Sequence, residues 1–267
     1  MKKIVPVFIL ATLLSCTKNL VTGRKQLSLV SESELQTMAL KEYQGFLSSN
    51  KVVNTNSNKD AEMVLRVGSR IASSIKKYYD GKGQPSILNG YKWEFNLVEN
   101  KEINAWCMPG GKVVVYTGLL PLTQNETALA IVLGHEITHA LAQHGSERMS
   151  EALLQQMGGA ALQAALAKKP AETRNIFMTA YGIGTTVGAI LPFSRQEESE
   201  ADKYGLYFAA MSGYNPQEAI SFWQRMASSG GSKPPAFLSD HPSDEKRIAQ
   251  LKEAMPQALK FYKQDKK

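Results

Sequence analysis

The stretch of residues 125–148 holds the side chains with the clearest chemical potential in the chain. It contains two histidines four residues apart, His135 and His139, in a run without proline that is rich in Ala, Leu and Ile and predicts a helix. Side chains at positions i and i+4 lie on one face of a helix, so both imidazoles can bind one metal ion. The spacing therefore predicts a metal site.

Glu136 follows the first histidine and lies about 100° around the helix from it, beside the predicted ion. Zinc lowers the pKa of a water that it binds to roughly 7, and a neighbouring carboxylate can take the proton and pass it to a leaving amine. Because this motif also arises by chance, an ordinary amphipathic helix is the alternative. Ala140 and Leu141 favour a histidine pair that faces a core, where imidazoles without partners would be costly. His144 lies about 140° around the helix from His139, and we expect it to be solvated.

The acidic residues 194–204 supply candidates for a third ligand. An ion bound by two histidines needs at least one more protein ligand if one position stays open for water. Glu198 and Asp202 are four residues apart on one helix face, whereas Glu197 and Glu200 point elsewhere. We expect Glu198 to bind the metal and Asp202 to orient a ligand histidine. A solvated acidic helix start, favoured by the helix dipole, is the alternative.

Other periodicities predict the elements that must position these residues. Helical spacing of apolar residues predicts helices over residues 34–47 and 61–79. Alternation predicts a strand over 91–98, and a Val-rich composition predicts a second strand over 112–117. Pro109 cannot donate to a strand ladder, so residues 103–111 are expected at a sheet edge, where a substrate peptide could add as a strand. A simple Pro-Gly-Gly turn explains the composition equally well. Residues 150–167 predict a loosely packed helix, and 176–191 an interior helix or a mobile flap, with a membrane segment as the alternative.

The N-terminus has the pattern of an export signal. A basic head and a short apolar run make residues 1–15 a lipoprotein signal peptide, and Cys16 is the expected lipid attachment site; a plain signal peptide is the alternative. Residues 16–33 are expected to form a lipid-anchored tether and N-terminal segment. If Cys16 is acylated, Cys107 has no partner for a disulfide, and the core must hold the fold.

Composition describes one globular domain, expected over residues 34–267. The 267 residues are 43% hydrophobic and 21% charged, without a repeat. Much of the net charge of +7 lies in the closing residues. This basic tail is either solvated or attracted to anionic lipid. Nucleic acid as its partner is disfavoured because the protein is expected to be exported.

Together these residues resemble zinc metallopeptidase family forty-eight, the group of the prenyl-protein endopeptidase of the endoplasmic reticulum, the heat-shock peptidase HtpX and periplasmic quality-control lipoproteins. Glu198 to Asp202 match its E-x-x-A-D motif, whose first glutamate is the third ligand. Further matches fall in residues 21–27 and in the C-terminal motif formed by His241, Pro242, Arg247 and Ile248. The residues that match its substrate-side strand are Asn104, Ala105, Pro109, Gly110 and Gly111.

The resemblance implies a mainly helical α+β gluzincin fold with a small mixed β-sheet beside the active-site helix. It implies one Zn²⁺ per chain bound by His135, His139 and Glu198, with Glu198 on a later antiparallel helix and Glu136 as catalytic base and acid. His241 would lie near the metal, where it steadies the oxyanion or caps the zinc. The absence of a set of long apolar helices is typical of the soluble exported members.

The implied function is a zinc endopeptidase of the bacterial cell envelope that hydrolyses unfolded or misassembled proteins. Its implied partners are polypeptide substrates, a membrane through the lipid anchor and the envelope assembly machinery. A periplasmic location on the outer membrane is favoured because Thr17, and not aspartate, follows the cysteine. The alternative is a zinc-binding lipoprotein chaperone or assembly factor whose site is capped or weakly active.

Overall fold

The computed structural model describes residues 16–157, 170–181, 194–229, 236–241 and 246–265. The predicted signal peptide, most of the helix predicted over 150–167 and residues 182–191 of the segment predicted over 176–191 lie outside the described residues. Within the described ranges, the strands are β1 (Cys16–Lys18), β2 (Lys25–Leu27), β3 (Glu94–Val98), β4 (Ala105–Met108) and β5 (Lys112–Tyr116). The helices are α1 (Glu32–Ser49), α2 (Lys59–Gly81), α3 (Leu120–Thr123), α4 (Glu126–Leu141), α5 (His144–Met157), α6 (Pro170–Ala180), α7 (Arg195–Met211), α8 (Glu218–Ser228), α9 (Ala236–Asp240) and α10 (Lys246–Asp265), with 3₁₀ turns at Pro85–Leu88 and Thr117–Leu119.

A three-stranded sheet lies at the centre, in the order β3-β5-β4, with β3 parallel and β4 antiparallel to β5. The Val-rich β5 is buried along its whole length because both faces of the sheet are covered. Val113 and Val115 pack into the larger core with α2 and α4, whereas Val114 and Tyr116 pack into a second core with α1, α5 and α6. The prediction of a mainly helical α+β fold with a small mixed sheet is confirmed.

β4 is an edge strand in the described part of the chain, since its recorded pairing is with β5 alone. Pro109, Gly110 and Gly111 form the turn between the two strands, and both glycines have left-handed φ angles, 78° and 79°. Such angles favour glycine over other residues. The segment is therefore both an edge strand and a turn, and the two interpretations of its composition do not exclude each other.

α4 is the helix around which the larger core packs. Asn125 caps its first turn through the amide of Ala128, and every side chain from Ala128 to Leu141 is buried. A helix that is buried on all sides needs neighbours all round, and α4 contacts α2, α7, α8 and β4. The two histidines and the glutamate of the motif therefore lie in the interior.

α7 packs along α4 at very short range. A Cβ atom added to Gly205 would lie 2.6 Å from the amide nitrogen of His135, and one added to Gly134 would lie 2.5 Å from the carbonyl oxygen of Gly205. Residues further along α4 meet residues earlier in α7, as His139 meets Glu198, so the two helices run antiparallel. This close contact brings the acidic start of α7 to the histidines.

The N-terminal segment packs on the junction between α4 and α5. β1 and β2 form an antiparallel pair, and the Asn19 side chain donates to the Leu141 carbonyl oxygen at 3.1 Å. The Leu29 amide donates to Ser150 Oγ at 3.0 Å. The region predicted as a tether is thus bound to the body of the protein at Asn19 and at Leu29.

None of the helices in the described ranges combines the length and apolar character needed to cross a membrane. The start of the segment considered as a membrane helix belongs to α6, where Ile176 and Phe177 are buried in the second core.

Candidate metal centre

Four buried side chains converge between α4, α7 and the end of α9. They are His135, His139, Glu198 and His241, and one ligand atom from each lies within 4.8 Å of the others. The Nε2 atoms of the two α4 histidines are 3.0 Å apart. The Glu198 carboxylate lies 3.5 Å from Nε2 of the first and 3.3 Å from Nε2 of the second.

These distances fit a bound zinc ion. Donor atoms at about 2.0–2.1 Å from a tetrahedral zinc ion are about 3.3 Å from one another. Burial lowers the pKa of His135 and, further, that of His139, despite the opposing effect of Glu198, so both imidazoles are neutral. His135 Nδ1 contacts Asp202 Oδ1 at 3.0 Å, and a carboxylate only accepts, so this proton leaves the lone pair on Nε2. Lone pairs therefore face one another here, as a cation requires.

Glu198 and Asp202 are both held by one arginine. Arg247 on α10 donates from Nε to Asp202 Oδ2 at 2.6 Å and from Nη2 to Glu198 Oε2, and its guanidinium lies 3.8 Å from the centre of the Trp223 ring. Burial alone would raise the pKa of the Glu198 carboxyl, but the neighbouring His241 holds this pKa well below its usual range. Glu198 is therefore an anion in the interior, as a metal ligand must be.

Glu136 is buried beside the ligand group and is not part of it. Its Oε1 atom lies 3.5 Å from Nε2 of His241. Its charge also acts on β4: burial and then Glu136 raise the pKa of the Cys107 thiol well above its usual value. The carboxylate thus lies beside the convergent ligands, on a helix that packs against the edge strand.

His241 lies inside the ligand group. Its Nδ1 atom is 2.8 Å from Glu198 Oε1 and 3.2 Å from His135 Nε2. The ring stacks on Phe237, with centroids 4.5 Å apart, and the Phe237 amide donates to the Ile103 carbonyl oxygen at 3.1 Å. The segment that carries His241 is therefore bound to Ile103, two residues before β4.

The five residues predicted for substrate binding are divided between the two ends of β4. Asn104 and Ala105 are buried at its start, next to Ile103. The Pro109 to Gly111 turn is at the other end and packs away from the histidines: a Cβ on Gly110 would meet Gln36, and one on Gly111 would meet the Trp93 ring. The structure brings the first pair towards the site and not the turn.

The prediction that His144 is solvated is wrong. α4 ends at Leu141 and Gln143 has a φ of 57°, so residues 125–148 do not form one helix and the angle counted from His139 does not apply. His144 is fully buried; Nδ1 is 2.9 Å from His139 Nδ1, and Nε2 is 3.0 Å from Glu200 Oε2.

Glu200 was expected to point away from the metal centre, and it reaches the centre through that histidine. Arg24 donates to Glu200 Oε1 at 2.9 Å and to both Glu147 carboxylate oxygens, at 2.8 and 2.5 Å. Burial raises the pKa of Glu200, but His144 and Arg24 together hold it below its usual range. No spacing in the sequence connects these residues, because α5 begins in a new direction.

Cys16 is exposed at the start of β1, Cys107 is buried in β4, and no disulfide joins the two.

Comparison with known proteins agrees with the geometry of the site. The model of peptidase family M48 matches residues 68–255. The mitochondrial metalloendopeptidase OMA1 of Saccharomyces cerevisiae is 34% identical over 195 residues, which are 70% of this chain and 54% of that protein. The bovine metalloendopeptidase OMA1 is 32% identical over 249 residues, 90% of this chain and 46% of that protein. The beta-barrel assembly-enhancing protease of Escherichia coli strain K12 is 33% identical over 165 residues, 59% of this chain and 33% of that protein.

The fold and the convergent histidines and glutamate define a metallopeptidase of the HExxH class. The chain belongs to peptidase family M48, since the family model covers well over half of it and includes all four residues of the ligand group. The predicted family and the predicted class of enzyme are confirmed. The chain spans about half, or less, of the length of these relatives.

Proposed function

We propose that this protein is a zinc endopeptidase that hydrolyses peptide bonds in unfolded or misassembled proteins of the bacterial cell envelope. His135, His139 and Glu198 would bind one zinc ion. The observation that carries the proposal is the convergence of these three side chains in a buried group, with the Glu136 carboxylate beside it. A purely structural ion has no need of that carboxylate.

A zinc ion bound here supplies Lewis acidity, which polarises a peptide carbonyl and lowers the pKa of water. Glu136 then has two tasks. Its buried carboxylate takes a proton from the attacking water and delivers that proton to the nitrogen of the departing amine. Asp202 and Arg247 hold His135 and Glu198 in place while this happens.

The substrate would lie extended beside β4. An edge strand offers backbone groups to which a peptide can pair as an added strand, and the helix that carries Glu136 packs against β4. We assign Asn104 and Ala105 to this contact because they begin the strand next to the segment that carries His241. Pro109, Gly110 and Gly111 would support the strand as its turn.

The envelope location and the lipid anchor at Cys16 are part of the proposal. The signal-like residues 1–15, the cysteine that follows them and the name of the Escherichia coli relative support a role in the envelope. The names of the other relatives point to mitochondria. In cells, Cys16→Ser is expected to move the protein from the membrane fraction to the soluble fraction; an unchanged distribution would contradict the anchor.

A second candidate is a zinc-binding chaperone or assembly factor whose site is capped. It is favoured by one observation, the position of His241 Nδ1 within hydrogen-bonding distance of both Glu198 and His135. A ring in this position would compete with water and substrate for the ligand group.

The test of peptidase activity is Glu136→Gln, assayed by casein cleavage and by metal analysis of the same samples. We expect the variant to keep its zinc and to lose about 10²- to 10⁴-fold in rate, the usual contribution of a general acid or base. Glu126→Gln is the matched control, since it makes the same change at the exposed start of the same helix. A chelator should abolish casein cleavage by the wild-type protein. Full turnover by Glu136→Gln would remove Glu136 from the mechanism, and zinc-loaded wild type without turnover would favour the capped alternative.

A further inference from the structure

His139 contacts a second buried histidine on the side of its ring that faces away from the ligand group. The contact joins His139 Nδ1 to His144 Nδ1 at 2.9 Å, and the other nitrogen of His144 lies 3.0 Å from Glu200 Oε2. Arg24 then donates to the remaining oxygen of Glu200 at 2.9 Å. Four side chains from the N-terminal segment, α4, α5 and α7 thus form one continuous chain of hydrogen bonds.

When both imidazoles are neutral, only one arrangement of protons satisfies every contact in this chain. The Glu200 carboxylate can only accept, so His144 donates to it from Nε2 and keeps a lone pair on Nδ1. His139 must then donate from its own Nδ1 to that lone pair. This leaves the lone pair of His139 on Nε2, the atom that faces His135 and Glu198.

The other ligand histidine has a shorter version of the same support. His135 donates from Nδ1 to Asp202, and Arg247 donates to the second oxygen of that carboxylate. In both cases an arginine binds a carboxylate, and the carboxylate fixes the tautomer of a ligand histidine. For His139, an additional imidazole lies between the carboxylate and the ligand histidine. The additional imidazole belongs to His144, the first residue of α5, which contacts His139 through Nδ1 and Glu200 through Nε2.

We propose that His144 is a positioning residue that fixes the tautomer and ring orientation of His139 for metal binding, and that Arg24, through Glu200, couples the N-terminal segment to the metal centre. The segment is well placed for this coupling. Arg24 also binds both oxygens of Glu147 on α5, and Asn19 binds the last carbonyl group of α4. The same short segment therefore holds both sides of the helix break at which His144 lies.

This inference rests on the proposed role of His139 as a zinc ligand, so the experiment measures metal affinity directly. Zinc dissociation constants are obtained for the purified protein by competition with a chromophoric chelator. The visible spectrum of the Co²⁺-substituted protein reports the geometry of its ligands. His144→Leu removes the contacts with His139 and Glu200. It should raise the zinc dissociation constant about 10- to 100-fold, the usual effect of losing such a partner of a ligand histidine. The Co²⁺ spectrum should shift as well.

Two further variants test the hydrogen-bond chain at His144 and at Arg24, its member furthest from the metal centre. His144→Asn keeps an amide oxygen near the place of Nδ1 and should recover part of the affinity that His144→Leu loses. Arg24→Gln should weaken zinc binding in the same direction by a smaller factor. The control is Ser150→Ala, which removes another buried contact between α5 and the N-terminal segment without touching the chain to His139. It should leave zinc affinity and the Co²⁺ spectrum unchanged.

The outcomes separate this inference from the proposed function. If wild type does not bind zinc, or His139→Ala binds it as tightly as wild type, the proposed metal site fails. If those two behave as expected but His144→Leu binds zinc within about twofold of wild type, or no more weakly than Ser150→Ala, only the positioning role is overturned. Should His144→Leu fail to fold, Glu200→Gln decides the question by the same two measurements, because it changes the partner of His144 at a side chain that is only partly buried.

Discussion

The contact between Gly134 and Gly205 should control the metal centre, because it sets the distance between α4 and α7. In Gly205→Ala the new Cβ would lie 2.6 Å from the His135 amide nitrogen and 2.7 Å from the Gly134 carbonyl carbon. The first distance is about 0.9 Å shorter than the roughly 3.5 Å at which such atoms pack comfortably. Backbone atoms cannot swing aside as a long side chain can, so the helices must separate.

Two effects on stability compete in this variant. Alanine is favoured over glycine inside a helix by about 1 kcal/mol. Overpacking a tight interior contact costs about 1–3 kcal/mol. The cost of the clash with backbone atoms should exceed the gain in helix propensity. We expect a net loss of up to about 2 kcal/mol in the free energy of unfolding, measured by urea denaturation.

The effect on the metal should be larger than the effect on stability. Glu198 lies two turns before Gly205 on α7, whereas both histidines lie on α4, so separating the helices moves the third ligand from the other two. Metal–ligand distances tolerate only about ±0.2 Å, and a displacement of about 1 Å can cost on the order of 100-fold in rate. Zinc affinity and casein cleavage should therefore both fall.

The matched control is Gly45→Ala in α1, where an added Cβ meets no other atom within 4 Å. It should gain about 0.5–1 kcal/mol in stability from helix propensity and keep its metal. If Gly205→Ala were as stable as wild type or more so, with undiminished zinc affinity, the argument from close packing would be refuted.

Two further changes test residues at opposite ends of the chain. His241→Ala should raise casein cleavage several-fold, because it removes a nitrogen that lies 3.2 Å from His135 Nε2 and competes with substrate; a lower kcat at unchanged KM would instead assign His241 to the oxyanion. Ser31→Ala should lose about 1 kcal/mol, measured by urea denaturation, because it removes the capping box of α1. Hydrogen bonds from Ser31 lower the pKa of Glu34, so the contribution of Glu34 is complete above about pH 4.3 and is lost as the pH falls through the lowered folded value. Unchanged stability of the Ser31→Ala variant at pH 7 would contradict the role of the cap.

Local patterns predicted the helices and strands well wherever one face of an element had to be buried. Val64, Ile71 and Ile75 are buried at helical spacing in α2, as the apolar stripe over residues 61–79 indicated. The strand predicted over residues 91–98 is shorter in the structure and begins at Glu94. The aromatic residues before it, Tyr91 and Trp93, continue the alternation as side chains of a loop.

The long helix predicted over residues 125–148 shows where local patterns fail. Its composition favours helix throughout, yet the chain turns at Gln143 and starts α5 in a new direction. The turn places His144 against His139 and makes Glu200 its partner. A residue judged by its angle on an ideal helix was therefore assigned to solvent, when it is fully buried.

The sequence by itself determined the kind of site: two histidines four residues apart on a helix must share a face, and a glutamate next to the first must lie beside that face. It also limited the candidates for the acidic metal ligand to the start of one helix, although choosing Glu198 among them needed the family motif. Only the tertiary structure decided which distant groups hold these ligands, because the contacts of Arg24 with Glu200 and of Arg247 with Asp202 join residues 176 and 45 positions apart. Such contacts depend on how closely two backbones approach, which periodicity within one element does not encode.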